Sequence, residues 1–150
     1  MSKILDIFRF ITSHPLTRES MLAALVRFFR WQVGSRILNA TYLLPFVNQT
    51  KLFARTGMHS ATGNYYVGLM SFEEMSFLLH FLRKDDVFVD VGANIGAFSV
   101  LASGVCQARS YAFEPARPSY ELIGMNCKIN GLEDMIKSFN CAVGSGRDKT

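Results

Sequence analysis

The chain has 150 residues, of which 49% are apolar, 19% charged and 13% aromatic, with a net charge of +4. That is one domain's length with enough apolar side chains for a sizeable core, and the composition excludes a disordered chain. The longest apolar stretch near the start, Met21 to Phe29, is short and carries Arg27, which argues against a membrane-spanning helix. The opening MSKILDIFRF has Asp6 and Arg9 inside its apolar run and no small-residue cleavage site, so it makes a poor signal peptide. Cys106, Cys127 and Cys141 form no CxxC pattern and read as small buried residues in a reducing cytoplasm. Residues 1–84 hold ten basic and four acidic side chains, residues 85–150 six and eight. The preferred reading of the first half is a helical extension with a basic solvent face, ahead of contact with an acidic partner or an anionic membrane surface.

Residues 2–13 and 18–38 show helical spacing. In the second segment Leu22, Leu25, Val26, Phe29 and Val33 follow one helix face, the expected buried stripe, with Thr17 as N-cap and Gly34 or Asn39 as the stop. Phe28 and Trp31 fall off that stripe, so a docked helix that buries two sides is expected. Residues 45–68 read as irregular and turn-rich, with short β-like runs at Lys51–Ala54 and Tyr65–Val67. Ser71-Phe72-Glu73-Glu74 is a capping box that opens a helix bearing Met75, Leu78, Leu79 and Leu82 and ending in Arg83-Lys84.

From Asp85 the pattern becomes strand, helix, strand, helix, strand. Val87–Val91 reads as a buried strand, Ile95–Ser103 as a helix, Ser110–Phe113 as a strand, Pro118–Asn130 as a helix and Ile136–Val143 as a strand. Alternation at this spacing implies parallel strands joined by right-handed crossovers, the first half of a doubly wound α/β sheet.

Chemistry concentrates at Asp90-Val91-Gly92-Ala93-Asn94-Ile95-Gly96, where the first strand of this series meets its helix. Glycines there allow a tight turn and close backbone approach to a ligand. A dinucleotide fingerprint starting at Gly92 needs glycine two and five residues later, where the chain has Asn94 and Ala97. A methyltransferase loop of the D-x-G-x-G-x-G kind is met at Asp90, Gly92 and Gly96, and Asn94 tolerates the left-handed conformation its place requires. Glu114, in Phe113-Glu114-Pro115, lies 22 residues past Gly92, where a carboxylate accepts bonds from both hydroxyls of a ribose. It is expected to be solvated and unpaired at the strand end, contributing little to stability. Asn126 and Asn130 are expected to cap their helix locally.

The segments DVFVDVGANIGAFSVLAS (86–103), YAFEPARPSYELIGMNCKIN (111–130) and NCAVGSG (140–146), with the lead-in ATGNYYVGLMSFEEMSFLLHFLR (61–83), resemble the FkbM family of S-adenosylmethionine-dependent methyltransferases. The resemblance implies an α/β, Rossmann-like fold with a mostly parallel sheet, its first three strands present and an N-terminal helical extension before it. It further implies S-adenosylmethionine as cofactor, bordered by Asp90, Gly92, Ala93, Asn94 and Gly96 at its methionine end and by Glu114 at its ribose. The implied reaction is methylation of a hydroxyl on a sugar, glycan or polyketide-like small molecule, with no nucleic-acid partner. One bacterial branch carries His-Glu where this chain has Met70-Ser71, which bears on the acceptor.

The expected organisation is a helical extension over 1–45, a lead-in over 46–84, and the front half of the cofactor-binding domain over 85–150, truncated at 150. On that reading the chain alone does not turn over, and its VFVDV strand has an unpaired apolar edge. The acceptor and base belong near later strands, so no catalytic residue is named. Other readings are a nicotinamide-dependent Rossmann enzyme and a truncated, non-catalytic domain. Gly144 to Thr150 faintly resembles a phosphate loop but fits a turn better. His14, His59 and His80 share no ligand spacing, so no metal is expected; His59, in a polar loop, is a weak candidate for a general base.

Overall fold

The helical spacing at the start and the strand–helix alternation from Asp85 become two separate compact units in the computed structural model, residues 1–81 and 82–150. The structure describes residues 2–37, 40–55 and 58–145.

In the first unit, α1 (Ser2–Ser13) runs into a short 3-10 turn, Pro15–Thr17, and then α2 (Met21–Ile37). Thr17 is not the N-cap of α2. Its buried hydroxyl donates back to the carbonyls of Ile11 and His14, closing the end of α1 instead. His14 caps the 3-10 turn by accepting from the Leu16 amide at 3.3 Å. It packs edge-on against the Phe10 and Phe72 rings, and burial lowers its pKa.

The orientation of α2 overturns the expected stripe. Ala24, Phe28, Trp31 and Ser35 are buried, whereas Leu22, Val26, Phe29 and Val33 are exposed, Leu22 by 77%. The helix carries two apolar faces, and the one with the large aromatic rings docks. Phe28 meets Tyr66 at 5.5 Å between ring centroids, and Trp31 meets Tyr42 at 5.2 Å. Rings of this size are a large apolar payload to bury. Arg27 adds a fork of hydrogen bonds to the Tyr66 carbonyl, at 3.1 and 2.7 Å.

A hairpin follows: β1 (Tyr42–Pro45) pairs antiparallel with β2 (Lys51–Ala54). Only the second strand was legible in the sequence, because Pro45 reads as a breaker. It sits instead at the last position of β1, where a strand tolerates the missing N–H. The β-like run at Tyr65–Val67 is helical, part of α3 (His59–Val67). Gly63 and Asn64, which read as turn signals, lie inside that helix. Asn64 donates from Nδ2 to the Ser60 carbonyl and accepts the Met70 amide on Oδ1, at 2.9 and 2.7 Å. The break falls at Gly68, which takes a φ of 90°. The last helix of this unit, α4 (Phe72–Phe81), starts directly after Ser71, whose carbonyl accepts the Met75 amide at 2.9 Å.

The second unit is a parallel sheet in the order β3-β4-β5, built from β3 (Val87–Val91), β4 (Arg109–Phe113) and β5 (Ile136–Phe139). Helices α5 (Ala97–Gly104) and α6 (Arg117–Ile129) form the crossovers. Asp90, Ser110, Ala112 and Ile136 are buried on one sheet face, with α5 packed on all three strands and α6 on β5. The valines of VFVDV point the other way: Val87, Val89 and Val91 are more than half exposed. The expected fully buried strand is thus a half-buried one, because both crossover helices follow strands added in a single direction. The third strand stops at Phe139, short of Val143, because Asn140 turns its amide to the carbonyls of Glu114 and Pro115.

The orientation of α2 predicts unequal costs for two adjacent rings. Phe28→Ala should lower the unfolding free energy by about 3–5 kcal/mol, and Phe29→Ala by less than about 1 kcal/mol. Urea denaturation of both variants checks the difference; equal losses would contradict the docking of α2.

Candidate functional site

β3 delivers the chain to the loop, and the first requirement there is a backbone that reverses within a few residues. Gly92 and Gly96 adopt φ values of 77° and 78°, and Asn94 takes 52°. These left-handed positions explain why glycine, and asparagine in the middle, stand where they do. The amides of Gly92 and Ala93 both donate to the Phe113 carbonyl, at 2.9 and 3.0 Å, so the loop is tied to the end of the neighbouring strand. Gly96 then starts α5, its amide bonded to the Ala93 carbonyl at 2.7 Å.

Glu114 continues β4 into the same place. Its Oε2 accepts the Asn94 amide at 2.7 Å and its Oε1 accepts the Ala116 amide at 2.8 Å. Glu114 is 7% exposed. The expectation of a solvated, unpaired carboxylate is therefore wrong: the side chain crosses from the strand end to the loop and binds backbone on both sides. A carboxylate has about four acceptor positions. The two bonds leave one lone pair on each oxygen, so the group can still take a vicinal diol.

Asp90 lies on the covered face of β3 and turns under the loop. Its Oδ2 accepts the Ser99 hydroxyl at 2.6 Å and the Ser99 amide at 3.2 Å, which ties β3 to the first turn of α5. Burial pushes its pKa up, the Ser99 bonds oppose that, and the Glu114 charge adds to the rise. A negative group thus already occupies the positive end of the α5 dipole. The site pairs two carboxylates with a loop whose Gly92 and Asn94 are exposed and whose Ala93 is buried. A Cβ built on Gly92 would meet nothing within 4 Å, so this backbone faces open space. On Gly96 it would press on Ile123 of α6 at 3.4 Å.

Asn126 does not play the local capping role expected of it. It is fully buried on α6, and its Nδ2 donates to the Ile95 carbonyl at 2.8 Å, a long-range latch on the loop rather than a local cap. The signal was present in the asparagine itself, a polar residue on the apolar side of α6. Asn130 does cap locally, bonding the Asn126 carbonyl at 2.7 Å. His59 opens α3 and belongs to the other unit. The phosphate-loop-like run to Thr150 lies outside the described residues from 146 onward. Among the described residues no cluster of His, Cys, Asp or Glu is arranged to hold a metal ion.

No family model matches the chain. A 65-residue stretch is 35% identical to methyltransferase sdnD of Sordaria araneosa and covers 43% of this chain. The chain spans about a quarter of the length of that curated relative. Among solved structures, a Pyrococcus horikoshii protein described as a transferase superposes with a TM-score of 0.57 at 18% identity, over 70% of this chain and 37% of its own. TYW2 of P. horikoshii, in complex with MeSAdo, gives 0.56 at 14%, over 86% of this chain and 50% of its own. A SAM-dependent methyltransferase from Agrobacterium tumefaciens gives 0.55 at 15%, over 69% and 33%. The fold is the Rossmann-like one of the class I methyltransferases.

Two variants test this geometry. Asn126→Ala leaves the Ile95 carbonyl unpaired in the interior and should cost about 1–3 kcal/mol, read by urea denaturation. Asp90 has a folded-state pKa above its unfolded value, so the stability it contributes is fully present below the ordinary carboxylate pKa. That contribution is lost as the pH rises through the raised value. Asp90→Asn should therefore gain on the wild type as the pH rises from about 3.5 to 7. A difference that stays flat across that range would contradict the buried, desolvated carboxylate.

Proposed function

We propose that residues 85–150 hold S-adenosylmethionine and that the chain belongs to an FkbM-type methyltransferase, acting on a hydroxyl of a sugar, glycan or polyketide-like small molecule. The observation that carries the reading is the Glu114 carboxylate, held by the amides of Asn94 in the loop and Ala116 ahead of α6, with acceptor positions left for a diol. Gly92, Ala93, Asn94 and Gly96 border the methionine end of the cofactor, with Asp90 setting the position of α5 beneath them. In a dinucleotide enzyme the pyrophosphate sits on the helix N-terminus. A carboxylate at the place of Glu114 serves the ribose of either cofactor, but Asp90 brings negative charge to the start of α5, which disfavours a diphosphate there and suits a ligand with an ammonium and a sulfonium. The 35% identity of 65 residues to a named methyltransferase supports the same choice.

The cofactor supplies a methyl group already activated on a positive sulfur. The protein's part is alignment: Glu114 fixes the ribose and thereby the direction in which that methyl points, and the glycine loop excludes bulk from the approach. Positioning of this kind supplies much of the acceleration in group transfer between held partners. The eight acidic against six basic side chains of residues 85–150 do not favour a polyphosphate acceptor, in keeping with a small-molecule hydroxyl. No helix among the described residues is long and apolar enough to cross a membrane. We place the protein in the cytoplasm, a reading supported by the absence of a disulfide among Cys106, Cys127 and Cys141.

Calorimetric titration with S-adenosylhomocysteine and with NAD tests the reading. The wild type should bind the first and not the second. Glu114→Gln should weaken S-adenosylhomocysteine about tenfold to a hundredfold and also lower thermal stability, because an amide cannot accept both backbone N–H groups as the carboxylate does. Gly92→Val should abolish binding, since its side chain would stand in the open space before the loop in a backbone conformation that β-branched residues resist. Binding of NAD in preference to S-adenosylhomocysteine, or unchanged affinity in both variants, would overturn it.

A further inference from the structure

The unit formed by residues 1–81 has a cavity of its own, of about 350 Å³, where α1, α2 and α3 come together. That volume lies in the range of small-molecule sites. Phe10, Trp31 and Met70 supply apolar wall, and Gln32, Ser35 and Thr62 supply hydrogen-bonding groups. Among the described residues lining it, none is Asp, Glu, Lys or Arg.

The walls are held from behind. Trp31 is wedged between Tyr42 and Tyr65, at 5.2 and 6.4 Å between ring centroids. Tyr66 is fixed by the Arg27 fork on its carbonyl and by the Phe28 ring. Its hydroxyl bonds Thr62 and Gln32, and burial pushes its pKa up to about 12, so it stays a neutral donor and acceptor at any physiological pH. Gly63 also matters, because a Cβ there would run into the Met70 side chain that closes one wall. A cavity whose polar groups are already oriented needs little reorganisation to take a ligand.

We propose that this cavity binds an uncharged ring-bearing alcohol, the ring lying against Trp31 and the hydroxyl joining the hydrogen bonds of Tyr66, Thr62 and Gln32. Charged ligands are disfavoured on physical grounds: apart from His59, no lining side chain among the described residues could pair with an ion and offset its desolvation. The site lies wholly within residues 1–81 and does not depend on the cofactor reading.

Trp31 is the chain's only tryptophan, so its emission reports this cavity alone. The full chain is titrated with benzyl alcohol under selective tryptophan excitation, with benzoate and benzylammonium as charged controls sharing the same ring. The expected result is a saturable change in emission with benzyl alcohol and none with either control at the same concentration. Gln32→Leu, which keeps the volume but removes the polar partner, should weaken benzyl alcohol at least tenfold. A circular dichroism spectrum establishes that the variant folds. The wild-type comparison stands without the variant: no saturable change with benzyl alcohol, or an equal response to benzoate, would overturn the proposal.

Discussion

The Glu114 carboxylate is the contact on which the geometry of the second unit converges. It starts at the end of β4, reaches the Asn94 amide across the loop and the Ala116 amide ahead of α6, and so joins three elements at one buried group. A charged acceptor with two backbone donors is worth more than a neutral one, and removing it would take the side-chain partner from both amides. The surrounding bonds reinforce the same node. Asn140 holds the Glu114 backbone carbonyl, the Phe113 carbonyl takes two loop amides, and Asn126 pulls the loop onto α6. The loop is consequently set in shape before any ligand arrives, which lowers the cost of binding one.

That arrangement gives the two carboxylates different work. Asp90 spends its hydrogen bonds on Ser99 and acts as a positioning residue between strand and helix. Glu114 spends one acceptor position of each oxygen on a backbone amide and has others left. A loop that relied on a free helix end would attract phosphate, whereas this one presents negative charge beside exposed glycine backbone. On the proposed reading, the Asp90 carboxylate beside the start of α5 weighs against a diphosphate, a preference the fold alone does not make.

What was legible in the sequence follows from how local its causes are. The positions of Gly92, Asn94 and Gly96 were readable because each needs a positive φ, a requirement of single residues. The strand–helix alternation was readable because hydrophobic period is local too. The docking face of α2 was not, since that helix has two apolar faces and only the partners, Tyr66 and Tyr42 among them, decide between them. The helix at His59–Val67 was hidden by Gly63 and Asn64, whose usual turn preference is overridden by Asn64's bonds to Ser60 and Met70. Asn126 acts on Ile95, 31 residues earlier in the chain, a distance that periodicity does not see. Glu114 shows both sides: its place was readable from spacing, but its two amide bonds depend on the loop's folded shape.

The central claim is that the loop at residues 92–96 and the Glu114 turn together form the S-adenosylmethionine site. Amide hydrogen exchange, followed by mass spectrometry with and without S-adenosylhomocysteine, tests it most directly. The account predicts slower exchange across 92–96 and 114–116 on addition of the ligand, and no such change with NAD. Unaltered exchange in both segments at saturating S-adenosylhomocysteine, or protection by NAD instead, would contradict it.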